Sequence, residues 1–388
     1  MKKTNNRHKI LLVGGHFTAA IAVYHALKER DIADFYWAGH KYTMFKDAET
    51  SYEYKQIMAL NIPFYDIKAG KLYRYFSFAG IRSFFRIPLG FVQAYMCLRK
   101  TRPDIVLSFG GYIAVPVSIS AKLLGIPVVT HEQTVSIGLA NKIVARIADK
   151  ILLSWNLPLT ELKDQSKCLI TGNPVREDVF THDHPLYNFQ DTDKPTILIL
   201  GGNQGSHVLN LAVETALPEL LERYNIIHQC GSNTIYQDYE RLEKKMDEHY
   251  RVYKGVWGAD TGRAFAQADV VLTRSGANTV YELALLMKPS ILIPLPFAVH
   301  NEQDKNARIL ESIGIGSIVA EKDISTAALL SALAKEVAVG KKLREDSTFS
   351  EEVIEKSEQM VKKDAAKTIA DIVLAMLTRQ QGTQDVSQ

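Results

Sequence analysis

Two glycine-bearing turns in the second half of the chain carry residue types suited to holding a diphosphate. Gly201-Gly202-Asn203-Gln204-Gly205-Ser206 follows the apolar run Ile197–Leu200 and opens a helical pattern. Arg274-Ser275-Gly276-Ala277 follows Val270–Thr273 and opens another, which carries Glu282. A turn of this kind brings backbone N–H groups and the positive end of a helix to a phosphate, and glycine lets the main chain come close to it. Arg274 adds a fixed cation, Asn203 and Gln204 add amides, and Glu282 is spaced to accept from two ribose hydroxyls. A third loop, Pro294–Asn306, opens a helix with Gln303 and Asn306 three residues apart, on one face, where a sugar could lie. Singly, the first turn is equally an ordinary strand–helix turn, Arg274 and Glu282 read more simply as a salt-bridged Arg and a solvated Glu, and the third loop as an ordinary capped one. Together they imply a nucleotide or nucleotide sugar.

The first half has its own polar turns at the ends of apolar runs. Gly14-Gly15-His16 places a histidine, which can take up a proton near neutral pH, where a helix begins. Ser108-Phe109-Gly110-Gly111-Tyr112, Thr130-His131-Glu132-Gln133-Thr134 and Gly172-Asn173-Pro174-Val175-Arg176 end three more runs. Three consecutive polar side chains at a strand end, as in His131-Glu132-Gln133, all require partners. There is no HExxH and no carboxylate cluster at the strand-end turns, so neither a protein-held metal nor another cofactor is expected. GxSxG and Walker patterns are also absent. Cys97, Cys168 and Cys230 are far apart and read as thiols of a reducing compartment.

The elements that must position these turns alternate along the chain. Strand-like runs are expected at Ile10–Val13, Phe35–Ala38, Ile105–Ser108, Val128–His131, Lys150–Ser154 and Cys168–Thr171. A second series comprises Thr196–Leu200, Asn225–Cys230, Arg251–Lys254, Val270–Thr273, Ser290–Ile293 and Ser317–Val319. Helices between them, such as Ala19–Arg30, Pro116–Leu124, Val208–Tyr224 and Val280–Met287, predict α/β architecture with parallel sheets covered on both faces. The expectation is two doubly wound, Rossmann-like domains, 1–179 and 196–363, facing across a cleft. The Pro-, Asp- and His-bearing stretch 180–195 is expected to link them, and 380–388 to be a disordered tail. In such sheets ligands bind beyond the carboxyl ends of the strands.

Hydrophobic residues make up 46% of the 388, ample for two cores, and a formal charge of +3 gives no ground for a nucleic-acid partner. No apolar run reaches the length of a membrane span. The stretch Lys68–Arg102 stands out because it carries eight basic residues and interleaved aromatics but no acid. Cations and rings in that mixture suit an anionic membrane surface, although some of the rings could equally be core.

Taken in order, the blocks Gly14-Gly15-His16, Gly110-Gly111-Tyr112, Gly125…His131-Glu132-Gln133, Gly172…Arg176, Gly201…Gly205, Arg274…Glu282 and Gln303…Asn306-Ala307 resemble the MurG family over nearly the whole chain. These are peripheral enzymes of the membrane's cytoplasmic face. They transfer N-acetylglucosamine from UDP-GlcNAc to the undecaprenyl-diphospho-muramoyl-peptide of cell-wall synthesis. The resemblance implies the B-type glycosyltransferase fold, with helix 364–378 crossing back to the first domain, and an inverting step without metal. It also implies a donor site formed by Asn203, Gln204, Gly205, Asn210, Arg274, Gly276, Ala277, Glu282, Gln303 and Asn306, with Arg176 nearby. Gly15, Tyr112 and Thr134 would meet the acceptor, and His16 would be the base, with His131 or Glu132 as rivals. The chain departs from the family pattern in its shortened first loop, in Ala19 for a proline, and in Thr134, Asn203, Thr261 and Glu302. A UDP-GlcNAc 2-epimerase, a transferase to another lipid diphosphate, and a nucleotide-sugar-binding subunit of weak activity are the alternatives.

Overall fold

The computed structural model describes residues 7–42, 50–69, 86–156, 159, 162, 164–202, 204–298 and 301–385. The chain divides into two compact units, Met1–Arg176 with Lys362–Gln388, and Glu177–Val361.

In the first unit β1 (His8–Val13), β2 (Ala33–Gly39), β3 (Phe64–Asp66), β4 (Ile105–Ser108), β5 (Val128–Glu132), β6 (Lys150–Leu153) and β7 (Cys168–Ile170) form one parallel sheet, in the order β3-β2-β1-β4-β5-β6-β7. The helices are α1 (Phe17–Lys28), α2 (Tyr52–Ala59), α3 (Arg86–Thr101), α4 (Ala114–Leu123) and α5 (Leu139–Ala145). Side chains alternate across a strand, so both faces of β1 need cover. Ile10 and Leu12 pack with Ala20, Val23 and Leu27 of α1, while Leu11 and Val13 pack with Leu98, Val117 and Val144 on the other face. Pro116 is tolerated in α4 because it lies in the first turn, where its missing N–H would have no partner. The sequence reading misses β3, a three-residue strand too short to show a period of two.

The second unit repeats the scheme. β8 (Thr196–Leu200), β9 (Asn225–Gln229), β10 (Tyr250–Tyr253), β11 (Val270–Thr273), β12 (Ser290–Leu292) and β13 (Gly316–Ile318) form a parallel sheet in the order β10-β9-β8-β11-β12-β13. Its helices are α6 (His207–Leu221), α7 (Asp238–Glu243), α8 (Ala259–Gln267), α9 (Ala277–Leu285), α10 (Glu302–Ile313), α11 (Thr326–Glu345) and α12 (Ser347–Met360). In each sheet the chain reverses its direction of growth beside the first strand, between β1 and β4 and between β8 and β11. That is where doubly wound sheets open a crevice for ligands.

Two boundaries differ from expectation. The stretch 180–195 is no free linker, because it is pinned to the second unit. Arg263 holds Asp183 through Nε at 2.8 Å and Nη2 at 3.0 Å, Gln267 bonds both backbone polar groups of Tyr187, and Asn225 Nδ2 donates to the Asp191 carbonyl at 2.6 Å. Polar, aperiodic sequence looked like a linker because its anchors lie far away along the chain. The last helix, α13 (Ala365–Asp385), also continues through most of the stretch expected to be a tail.

α13 belongs to the first unit. Ile369, Val373 and Leu377, spaced by four residues, are buried with Ala370 in the α1-side core. Ile369→Ala should therefore cost about 2–5 kcal/mol. Hydrogen exchange should show the lost protection in residues 7–176 and 365–385, and equal loss in the second unit would contradict this packing.

Candidate active site

The polar turns of the first unit gather at the carboxyl ends of β1, β4 and β5. Backbone contact sets their geometry. Gly110 and Gly111 have φ of +77° and +75°, and a Cβ on Gly15 would lie 2.3 Å from the Gly110 carbonyl oxygen. Only glycines let these two turns close on each other. His16 caps α1 by position without a side-chain cap bond. Its Nδ1 instead lies 2.7 Å from the Gln133 side-chain amide nitrogen. Burial pushes the imidazole below its ordinary pKa, against a smaller opposing pull from the Glu132 charge, so the ring is held neutral.

Glu132 and His131 sit deeper. The Glu132 carboxylate accepts from Thr134 N at 3.0 Å, Thr134 Oγ1 at 2.8 Å, Gly138 N at 3.1 Å and Asn141 Nδ2 at 2.9 Å. Four donors fill its acceptor capacity and make it the anchor of the 133–141 loop. His131 is buried with Nε2 at 3.1 Å from the Gly172 carbonyl and 3.2 Å from Ser154 Oγ. Burial lowers its pKa to about 4, so it stays neutral through the physiological range. Thr134 is buried, with its hydroxyl donating towards Glu132 and the Ser136 carbonyl. The Tyr112 ring stacks on His40 at 4.4 Å, with 22° between the planes. Arg176 is half-buried and ends the first unit.

In the second unit the first glycine turn uses the same device. Gly202 and Gly205 have φ of +78° and +85°, and a Cβ on Gly205 would lie 2.1 Å from the Cys230 carbonyl oxygen. Asn203 lies outside the described residues, and Gln204 is exposed. Arg274, read from sequence as a fixed cation for a phosphate or else a salt-bridged side chain, is a bracket between three strand ends. It donates to Ser206 Oγ through Nε at 3.1 Å and Nη2 at 2.8 Å, to the Ile293 carbonyl at 3.2 Å, and to Glu321 Oε2 at 2.5 Å. Sequence could not show this, since Glu321 is 47 residues away. Asn210 is likewise drawn inward. It is fully buried, with Nδ2 donating to the Cys230 carbonyl and Asp238 and Oδ1 paired with His228, so it supports the turn from behind.

The remaining candidate residues of the second unit gather at the starts of α9 and α10. Gly276 caps α9, and Cβ atoms at Gly202 or Gly276 would meet nothing within 4 Å. Ala277 is buried in the first turn of α9, and Glu282 is buried one turn further on rather than solvated. Gln303 accepts from Leu295 N at 2.9 Å, and the buried Asn306 donates to the Ser275 carbonyl at 3.1 Å, joining the α10 start to the Arg274–Ala277 turn. Asn306 Oδ1 is buried and has no partner among the described residues. No group of three or more His, Cys, Asp or Glu side chains is placed to hold a metal ion among the described residues.

Three residues of the first-unit site escape sequence reading: Gln133 as the partner of His16, Asn141 as the clamp on Glu132, and Glu53 beneath Gly14. The first stood in a motif with no assigned task, and the others stand in none.

The paired sheets, with glycine turns at their crevices, define a nucleotide-sugar transferase scaffold. The glycosyltransferase family 28 N-terminal domain matches residues 13–153 and the family's C-terminal domain matches residues 196–369. A relative from Clostridium novyi (strain NT), the UDP-N-acetylglucosamine–N-acetylmuramyl-(pentapeptide) pyrophosphoryl-undecaprenol N-acetylglucosamine transferase, is 33% identical over 330 residues, 83% of this chain and 88% of the relative. The crystal structure of Acinetobacter baumannii MurG superposes with a TM-score of 0.66 at 25% identity, covering 95% of this chain and 99% of that one. A solved UDP-N-acetylglucosamine 2-epimerase has a TM-score of 0.60 at 16% identity, covering 96% of this chain and 98% of that one, and shares the fold. The chain belongs to the MurG family.

Gly276 offers a sharp test of the donor side. Its φ of −66° suits any residue and nothing stands before it. Gly276→Val should leave stability within about 0.5 kcal/mol and weaken UDP binding at least tenfold by calorimetry. Unchanged affinity would remove this turn from the site.

Proposed function

We propose that the chain transfers N-acetylglucosamine from UDP-GlcNAc to an undecaprenyl-diphosphate-linked N-acetylmuramoyl-peptide, in one inverting step that needs no metal. Family membership through both halves is the observation that carries the reading. It favours the transferase over the epimerase, whose likeness is one of fold. The second unit takes the donor. The Gly201–Ser206 turn and the α9 N-terminus receive the diphosphate, Glu282 the ribose, and Gln303 and Asn306 the sugar. Arg274 acts by holding Ser206 and the strand ends in register. Preorganised donors of this kind stabilise charge developing on a leaving group, each by about 3–4 kcal/mol.

The first unit takes the acceptor, with His16 as the base. The orientation of the Gln133 amide matters here: with its nitrogen donating to His16 Nδ1 the ring proton sits on Nε2. The amide oxygen is buried without a partner, and turning it to the ring lets His16 Nδ1–H donate to it. The Nε2 lone pair is then open to take the proton of the attacking sugar hydroxyl. A neutral imidazole is the form that work requires. Glu132, whose carboxylate accepts four hydrogen bonds, and His131, held through Nε2 by Gly172 and Ser154, serve as supports of the loop that carries Gln133. Gly15, Tyr112 and Thr134 shape the acceptor side.

The membrane-facing surface is α3. Among the described residues no helix is long and apolar enough to cross a membrane. Leu89, Val92, Tyr95 and Met96 are exposed on one side of α3, Ala94, Cys97 and Leu98 are buried on the other, and Arg99 and Lys100 follow. Residues 70–85, with most of the aromatics of Lys68–Arg102, lie outside the described residues. An apolar face ending in cations suits peripheral binding to anionic lipid on the cytoplasmic side.

Incubation with UDP-GlcNAc and the lipid-linked muramoyl-peptide should give a lipid-linked disaccharide, whereas free N-acetylmannosamine would indicate the epimerase. His16→Ala should lower kcat about 10²–10⁴-fold with UDP affinity nearly unchanged; a collapse of UDP affinity would refute the role. Val92→Glu with Met96→Glu should abolish flotation with anionic vesicles while soluble-acceptor turnover persists, and retained flotation would exclude α3 as the docking face.

A further inference from the structure

Glu53 belongs to none of the family-like blocks, yet it lies against the first glycine turn. Trp37, wholly buried on β2, donates from Nε1 to Glu53 Oε1 at 2.6 Å. A Cβ on Gly14 would fall 1.8 Å from that oxygen, and one on Gly39 would fall 2.6 Å from it. The carboxyl therefore fills the gap between the ends of β1 and β2, and both glycines are needed to admit it. Among the described residues Trp37 is its only hydrogen-bond donor and no cation pairs with it.

Among the described residues, the titratable and charged groups on the surrounding elements are engaged elsewhere. His16 at the head of α1 pairs with Gln133, and the ring of His40, after β2, stacks on Tyr112. Lys41 holds its ammonium over the Tyr54 ring at 5.2 Å, and its N–H donates to Asp66 on β3. Tyr65 faces Tyr36, and on Glu53's own helix Tyr52 meets Phe17 and Lys55 is exposed. An uncompensated carboxylate beside an anion site disfavours the anion, and a bound anion in turn favours the protonated acid.

We propose that Glu53 is a proton-linked positioning residue of the acceptor turn: its neutral carboxyl lets the acceptor diphosphate settle on the Gly14–His16 backbone, and its carboxylate expels it. The proposal rests on the first unit being the acceptor side. Burial raises the acid to about 7, opposed only by the Trp37 hydrogen bond, so the two forms exchange in the working range. A sugar-diphospho-lipid is a diester whose own charge is constant there. Glu53 is thus the group that takes up a proton as the acceptor binds. His16, held below its ordinary value, titrates on the acid side and shows in kcat.

The test is the pH dependence of the two KM values between pH 6 and 9. For the unaltered protein the acceptor KM should be flat below about pH 7 and rise towards tenfold per unit above it, while the UDP-GlcNAc KM stays level. Glu53→Gln keeps an oxygen for Trp37 and mimics the neutral acid, so its acceptor KM should hold the low-pH value throughout. An acceptor KM of the unaltered protein that does not change from pH 7 to 9 overturns the proposal without recourse to any variant, and leaves the transfer reading standing. A Glu53→Gln profile that still rises also overturns it. Absence of lipid-linked product at every pH overturns both readings.

Discussion

Close approach of backbone to backbone at the strand ends is the constraint from which the rest follows. In the first unit Gly15 meets the Gly110 carbonyl, and in the second Gly205 meets that of Cys230. At neither place is there room for a methyl group. The result is a patch of main chain without side chains at the crevice of each sheet, with a helix starting immediately behind. Everything polar nearby is arranged to hold these turns still. Asn141 lies against Gly110 and binds Glu132, and Asn210 ties the base of the second turn to Asp238 and His228.

Both units spend buried polar groups on support rather than on contact. Glu132, Asn210 and the Nε2 of His131 are ligand-like groups by type, yet each is hydrogen-bonded within the protein. Burying such groups is tolerable only when every partner is supplied, and a network so satisfied fixes one conformation. Arg274 follows the same logic: its guanidinium, paired with Glu321 and bonded to Ser206, sets the relative height of β8, β11 and β12. The groups left for chemistry are few by contrast: His16 in the first unit and open glycine backbone in the second.

The doubly wound architecture was legible because it is written in local periods. Apolar runs bounded by glycine turns located twelve strands within a residue or two, and the motif turns fell at strand ends as that architecture requires. β3 was not legible, being three edge residues. Nor were the pairings that convert candidate ligands into supports, because each joins residues tens of positions apart: Arg274 with Glu321, Asn210 with Asp238, Trp37 with Glu53. Residue type suggested contact with a ligand, and only distance in space distinguishes that from contact with the fold.

α13 carries a consequence for how the molecule is made. The first unit is discontinuous, since the whole second unit is spelled between Arg176 and Lys362. The first sheet therefore emerges from the ribosome with Ile10, Leu12 and their neighbours lacking the cover that Ile369, Val373 and Leu377 later supply. At ordinary synthesis rates that wait lasts roughly 10–40 s. The second unit is complete before the first can close, so the earliest residues made are among the last to be sealed. A nascent chain of this design has a long interval in which its oldest apolar face is a natural target for chaperones.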